Sequence, residues 1–159
     1  MTVAYVGLGS NLGDARAHVL RAFEDLARLP ETRLEARSAL YRSAPLDAPG
    51  QADYVNAAAG VDTELSAAQL LAALQDIERR HGRERPYANA PRTLDLDLLL
   101  YDEAAFESAM LTLPHPRMHQ RAFVLAPLAE LDPRLEVPGR GSVRELLARC
   151  AGQRVARLD

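Results

Sequence analysis

The segment Pro91-Arg92-Thr93-Leu94-Asp95-Leu96-Asp97-Leu98-Leu99-Leu100-Tyr101 constrains the fold more than any other stretch of the chain. Leucine and aspartate alternate in it with a period of two, which fits a strand and no helix. A strand places Leu94, Leu96, Leu98 and Leu100 on one face and Asp95 and Asp97 on the other. The leucine face calls for a core to cover it. The aspartate face needs another reason, because adjacent like charges repel and Asp is depleted in strands. Two carboxylates at i, i+2 can jointly ligate one hard cation or bridge two, and Mg²⁺ binds in this way together with substrate phosphates. The alternative is a solvated polar sheet face paired with Arg92 and its neighbours.

The rest of the chain supplies the partners of that strand. Val3 to Leu8 reads as a buried strand ended by Gly9-Ser10-Asn11. Asp14 is placed to cap a helix with the apolar stripe Val19, Ala22, Phe23, Leu26 and Leu29, ended by Pro30. Thr32 to Tyr41 alternates weakly and reads as one strand. Ser43 to Ala52 is a loop, and Tyr54 to Thr63 a strand of small residues. Ser66-Ala67-Ala68-Gln69 is a capping-box pattern opening a helix with Leu70, Leu71, Leu74 and Ile77 on its apolar side. Pro114, Pro116 and Pro127 break up a later stretch, and Ser142 opens a short last helix. The order β-α-β-β-α-β with a mixed tail predicts an α+β fold: a ferredoxin-like α/β sandwich with a mainly antiparallel sheet, in one domain over residues 1–159.

Composition narrows the chemistry. The 159 residues carry a net charge of −3, which argues against a general nucleic-acid or membrane-surface binder. The chain has no lysine, so all 19 basic residues are arginine. Walker A, protein-kinase and pyridoxal chemistries each need a lysine and are excluded. Cys150 is the single cysteine, so no disulfide framework exists and a reducing compartment fits. The N-terminus shows no signal-peptide pattern, and the longest apolar run is too short to span a membrane, so a cytoplasmic protein is expected.

Arg83, Arg85 and Arg92 lie in a polar loop just before the aspartate strand. Guanidinium forks next to a carboxylate pair suit a metal–nucleotide triphosphate; the alternative is a set of solvated surface arginines. Gln75 and Glu78, at i, i+3, would face that loop together or merely meet solvent. His115 and His119 have the spacing of a zinc pair but no accompanying ligands, and His115 beside Pro116 reads better as a helix entry or phosphate contact. Gly7-Leu8-Gly9 lacks the context of a dinucleotide fingerprint. Tyr54 and Asn56 share a strand face on which a flat heterocycle can stack and pair its edge. Core tyrosine and edge asparagine are the alternative.

These motifs together resemble the 6-hydroxymethyl-7,8-dihydropterin pyrophosphokinase family of folate biosynthesis over nearly the whole length. The resemblance runs through Gly9-Ser10-Asn11-Leu12-Gly13, Tyr41-Arg42-Ser43-Ala44-Pro45-Leu46, Asp53-Tyr54-Val55-Asn56-Ala57-Ala58, Ile77-Glu78 and the Leu/Asp segment. It continues through Leu113-Pro114-His115-Pro116 and Arg121-Ala122-Phe123. It implies transfer of pyrophosphate from ATP to the pterin hydroxymethyl group with release of AMP. It implies two Mg²⁺ ions on Asp95 and Asp97, with Arg83 and Arg92 also catalytic. Arg83, Arg85, Arg92, His115 and Arg121 would surround the triphosphate, with Gln75 and Glu78 near the nucleotide. Backbone of Leu98, Leu111 and Thr112 would meet adenine. The pterin would lie between Tyr54 and Phe123, its edge on Asn56 and on backbone of Ser43, Ala44 and Leu46. The implied partners are these two small molecules only, with no nucleic acid and no membrane, and the chain would act as a monomer.

The chain departs from the family pattern in places. Asn89-Ala90 stands where a Trp often precedes Gly-Pro-Arg-Thr, Met110 where an Arg can sit, and Pro116 where a Tyr is frequent. Tyr87 is a candidate replacement for the lid ring. Two other classes fit parts of the pattern: a two-metal nucleotidyltransferase, which would release pyrophosphate rather than AMP, and a non-catalytic ferredoxin-like ligand-binding module, which would bind without turnover.

Overall fold

The computed structural model describes residues 1–45, 50–82 and 93–158. Two crossovers organise it. Strand β1 (Thr2–Ser10) leads through helix α1 (Ala15–Ala27) to β2 (Thr32–Arg37) and β3 (Leu40–Ser43). Strand β4 (Tyr54–Thr63) leads through α2 (Ala67–Arg80) to β5 (Asp95–Tyr101). In the sheet β5 pairs with β1, β1 with β4, and β4 with both β2 and β3 along its other edge, all antiparallel. Each helix therefore crosses one intervening strand, and both return to the same face. This is the split βαβ plan of a ferredoxin-like α+β sandwich, with a wholly antiparallel main sheet.

Local chemistry sets the helices where the pattern placed them. Asp14 accepts the Ala17 N–H at 3.1 Å and caps α1, and Val19, Ala22, Phe23 and Leu26 are buried. The reciprocal box of Ser66 and Gln69 caps α2, with bonds of 3.1 and 2.9 Å. Leu70, Leu74 and Ile77 of α2 then pack with Ala4, Val6, Leu8, Leu94, Leu96 and Leu98 in one continuous core.

Two expectations about the sheet change. Thr32 to Tyr41 is two strands, not one. The break falls at Ser38, whose N–H donates to the Ala58 carbonyl while its Oγ accepts the Ala58 N–H. The next amide, Ala39 N–H, is taken by Glu130 at 3.1 Å. Leu100 does not share a face with Leu94, Leu96 and Leu98. Tyr5 pairs with Leu100 and Val6 with Leu98, so Leu99 is the extra residue of a bulge and the face switches there. Leu99 and Leu100 enter a second core on the opposite side of the sheet.

That second core is built by the segment read as a mixed tail. After the short pair β6 (Phe106–Glu107) and β7 (Thr112–Leu113) come a 3₁₀ turn at Met118–Gln120 and α3 (Ala122–Leu131). A second short pair, β8 (Glu136–Val137) and β9 (Gly141–Ser142), precedes α4 (Val143–Ala148) and β10 (Val155–Leu158). Pro127 does not break the chain as expected but sits inside α3. Its ring removes a single ladder bond midway along the helix. Leu125 and Leu128 of α3 and Val143 and Leu146 of α4 cover Leu99 and Leu100. β10 extends the sheet beyond β3. The sheet is thus covered on both faces, and α3 leaves the half nearest the aspartates open.

Candidate active site

The open half of that face carries the aspartates. In register, Asp95 lies opposite Gly9 and Asp97 opposite Gly7. Both carboxylates, half-buried, therefore look across the neighbouring strand at positions with no side chain. On the other flank of β1, Gly9 pairs with Asn56. A β-carbon at Gly9 would lie 3.3 Å from Asn56 Nδ2 and 3.6 Å from Tyr54 Cδ1, so the glycine keeps the sheet surface low between the carboxylates and the amide. The Ser43 hydroxyl donates to Asn56 Oδ1 at 2.6 Å and fixes that buried amide.

Above this surface is a cavity of about 180 Å³, lined by Ser43, Ala44, Pro45, Gln51, Tyr54, Asn56, Arg117, Arg121 and Phe123, with Gly7, Gly9, Asp95 and Asp97 at its floor. The Arg121 guanidinium lies 5.5 Å from the Phe123 ring centre. Asn11 holds the rim, donating to Gln51 Oε1 at 3.1 Å and to the Ala52 carbonyl at 3.2 Å. A second cavity, about 230 Å³, is lined by Leu71, Leu96, Leu98, Met110, Leu111, Thr112, His115 and Pro116. Asp97 lines both. It stands on the wall between them.

His115 is positioned by backbone. Its N–H donates to the Leu99 carbonyl at 2.9 Å, and its Nδ1 accepts the Arg117 N–H at 3.2 Å. Burial pushes the imidazole pKa down to about 4; the charges of Arg121 and Arg117 add to this and Asp95 opposes it. At neutral pH the ring is uncharged, and with Nδ1 accepting, the proton sits on Nε2. His115 therefore offers a hydrogen-bond donor, not a cation.

Residues 5–133 match the family model described as 7,8-dihydro-6-hydroxymethylpterin-pyrophosphokinase (HPPK). The chain belongs to this family. It is 47% identical over 154 residues to the 2-amino-4-hydroxy-6-hydroxymethyldihydropteridine pyrophosphokinase of Pseudomonas aeruginosa, covering 97% of this chain and 95% of that one. The enzyme of the same name from Haemophilus influenzae is 40% identical over 159 residues, covering 100% and 99%. In fold, the chain is similar to the crystal structure of wild-type Plasmodium falciparum HPPK-DHPS with STZ-DHP. There the TM-score is 0.72 at 12% identity, over 93% of this chain and 43% of that one.

Most of the residues named for the HPPK family resemblance fall around one or other cavity. Ser43, Ala44, Tyr54, Asn56 and Phe123 line the first, and Leu98, Leu111, Thr112 and His115 the second. Arg121, expected at the triphosphate, lines the first cavity. Gln75 and Glu78 differ in setting, and the loop they were expected to face lies outside the described residues. Gln75 is exposed, whereas Glu78 is buried and its Oε2 accepts the Leu96 N–H at 2.8 Å, between the two aspartates. A helix turn of α2 lies against β5, so the inward residue of the pair meets strand backbone. Leu46, Arg83, Arg85 and Arg92 lie outside the described residues, as do Tyr87 and Asn89. Sequence reasoning missed Gly7, Gly9, Gln51 and Arg117. The glycines had a signal: they alternate with the buried apolar positions Val6 and Leu8 on one strand, which marks a surface kept clear for close approach.

Proposed function

We propose that this chain transfers the pyrophosphoryl group of ATP to the hydroxymethyl oxygen of 6-hydroxymethyl-7,8-dihydropterin and releases AMP, in folate biosynthesis. The observation that carries this reading for the chain's own geometry is Asp97 on the wall shared by two cavities. The pterin occupies the first, between Tyr54 and Phe123, with its edge on the Asn56 amide. The adenine occupies the second, against Leu98, Leu111 and Thr112. The hydroxymethyl oxygen bonds to the β-phosphorus, the bond from that phosphorus to the α,β-bridging oxygen breaks, AMP leaves with the electron pair, and the hydroxyl proton is released.

Asp95 and Asp97 are the residues that would hold Mg²⁺, two ions in this reading. The donors suit that ion, being half-buried carboxylate oxygens that line the first cavity opposite two glycines. Bound there, Mg²⁺ supplies neutralisation of charge on the bridging and leaving oxygens. His115 donates from Nε2 to a phosphate oxygen. Arg121 orients the pterin ring wall and adds positive charge beside the transferred group. Arg83, Arg85 and Arg92 carry the family expectation of triphosphate contacts, with Arg83 and Arg92 at the reacting phosphates. In this reading the chain acts as one domain and as a monomer. Its place is the cytoplasm, where ATP and a reduced pterin are at hand and a lone thiol is kept reduced.

Asp97→Asn tests the reading. The side chain keeps its size and loses its charge, so turnover should fall by about 10²–10³, as when one group stabilising transition-state charge is removed. The folded state, measured by thermal unfolding, should change little. Near-full turnover in this variant would show that Asp97 does not serve the transfer.

A further inference from the structure

Arg117 lines the first cavity beside Asp95, Asp97 and Arg121. The two arginines differ in their surroundings. Arg121 lies over the Phe123 ring and belongs to the aromatic wall. Arg117 stands one residue before the 3₁₀ turn, is exposed, and forms no ion pair with any described carboxylate. Its charge is nonetheless felt inside the site, since it contributes to holding His115 neutral.

The proposed transfer changes the charge in this cavity. The pterin substrate enters as a neutral alcohol and leaves as a diphosphate ester. In the first state a guanidinium at the cavity mouth has nothing anionic on the pterin to meet. In the second, phosphate oxygens stand beside two aspartates, and the planar fork of an arginine matches them in shape and charge. We infer that Arg117 is a binding residue for the transferred diphosphate on the pterin side of the site, discriminating pterin diphosphate from pterin alcohol. This rests on the pyrophosphokinase reading above. Arg117 is then silent toward the incoming pterin and engages as the phosphates arrive in the first cavity.

The test compares affinities, not turnover. Titration calorimetry with Mg²⁺ present would measure the binding of 6-hydroxymethyl-7,8-dihydropterin and of its diphosphate ester to the wild type, Arg117→Gln and Arg117→Lys. Arg117→Gln should weaken the diphosphate about tenfold, the scale of one charge-assisted contact at a partly open site, and leave the alcohol within about twofold. Arg117→Lys should fall between, since it keeps the charge and loses the fork. Equal weakening of both ligands, or none, would overturn the role of Arg117 while leaving the pyrophosphokinase reading intact. A wild type that binds neither ligand would overturn that reading and this one together.

Discussion

His115 is held neutral by burial and by two neighbouring guanidinium groups, and this has a consequence for stability. Its pKa is 6.5 in the unfolded chain and about 4 in the fold. Above pH 6.5 neither state binds the proton and the group is without effect. As the pH falls from 6.5 toward 4, the unfolded chain takes up a proton that the folded one refuses, so stability declines across that window. The loss is on the order of 2–3 kcal/mol, allowing for the ring's partly open side. Chemical denaturation of wild type and His115→Gln at a series of pH values isolates it from the carboxylates. The two profiles should diverge between pH 6.5 and 4, the variant losing less; parallel profiles would show that the imidazole is not held neutral. Gly9 supports a second prediction. Gly9→Ala places a methyl 3.3 Å from the Asn56 amide and beside Tyr54. The KM for the pterin should rise about tenfold while the KM for ATP stays near its wild-type value, measured by steady-state titration of each substrate. A rise in both would place Gly9 outside the pterin wall.

At the scale of elements, what was legible followed from local rules and what was not followed from distant partners. The Leu/Asp alternation of β5 gives the faces of Leu94 to Leu98 correctly, because a period of two needs no partner to define it. It fails at Leu100, past the bulge that the pairing with β1 imposes at Leu99. The break at Ser38 was hidden for the same reason: its partners are Ala58 and, through Ala39, Glu130, 91 residues away. Tyr54 and Asn56, which line the first cavity, were legible as a pair because they sit on one strand face. The bond from the Leu96 N–H to Glu78 was not legible, because helix spacing shows which residues share a face, not whether that face meets water or a strand. A further contact invisible in the sequence joins the two crossover helices. His81, the C-cap of α2, places Nε2 2.9 Å from Asp25 Oδ2 and Nδ1 2.9 Å from His18 Nδ1, both on α1. His81→Ala removes both contacts in a mostly buried setting. The expected cost is about 2 kcal/mol in urea unfolding, from two lost hydrogen bonds and a mostly buried carboxylate left without His81. A change below about 0.5 kcal/mol would mean that the packing of α1 and α2 alone holds them.

At the scale of the molecule, a sheet covered on one face by α1 and α2 and half-covered on the other by α3 and α4 leaves one open surface with Asp97 on the wall between two cavities. In the proposed reading that arrangement brings ATP and the pterin to one carboxylate pair from opposite sides, in a chain that matches the pyrophosphokinase family over residues 5–133. Product identity tests this most directly. The protein is mixed with ATP, Mg²⁺ and 6-hydroxymethyl-7,8-dihydropterin, and the nucleotide products are separated by chromatography. The account predicts AMP formed in equal amount to pterin diphosphate, dependent on the pterin and on Mg²⁺. ADP would place the attack at the γ-phosphorus, and released pyrophosphate with a nucleotidylated pterin would place it at the α-phosphorus; either product contradicts the account.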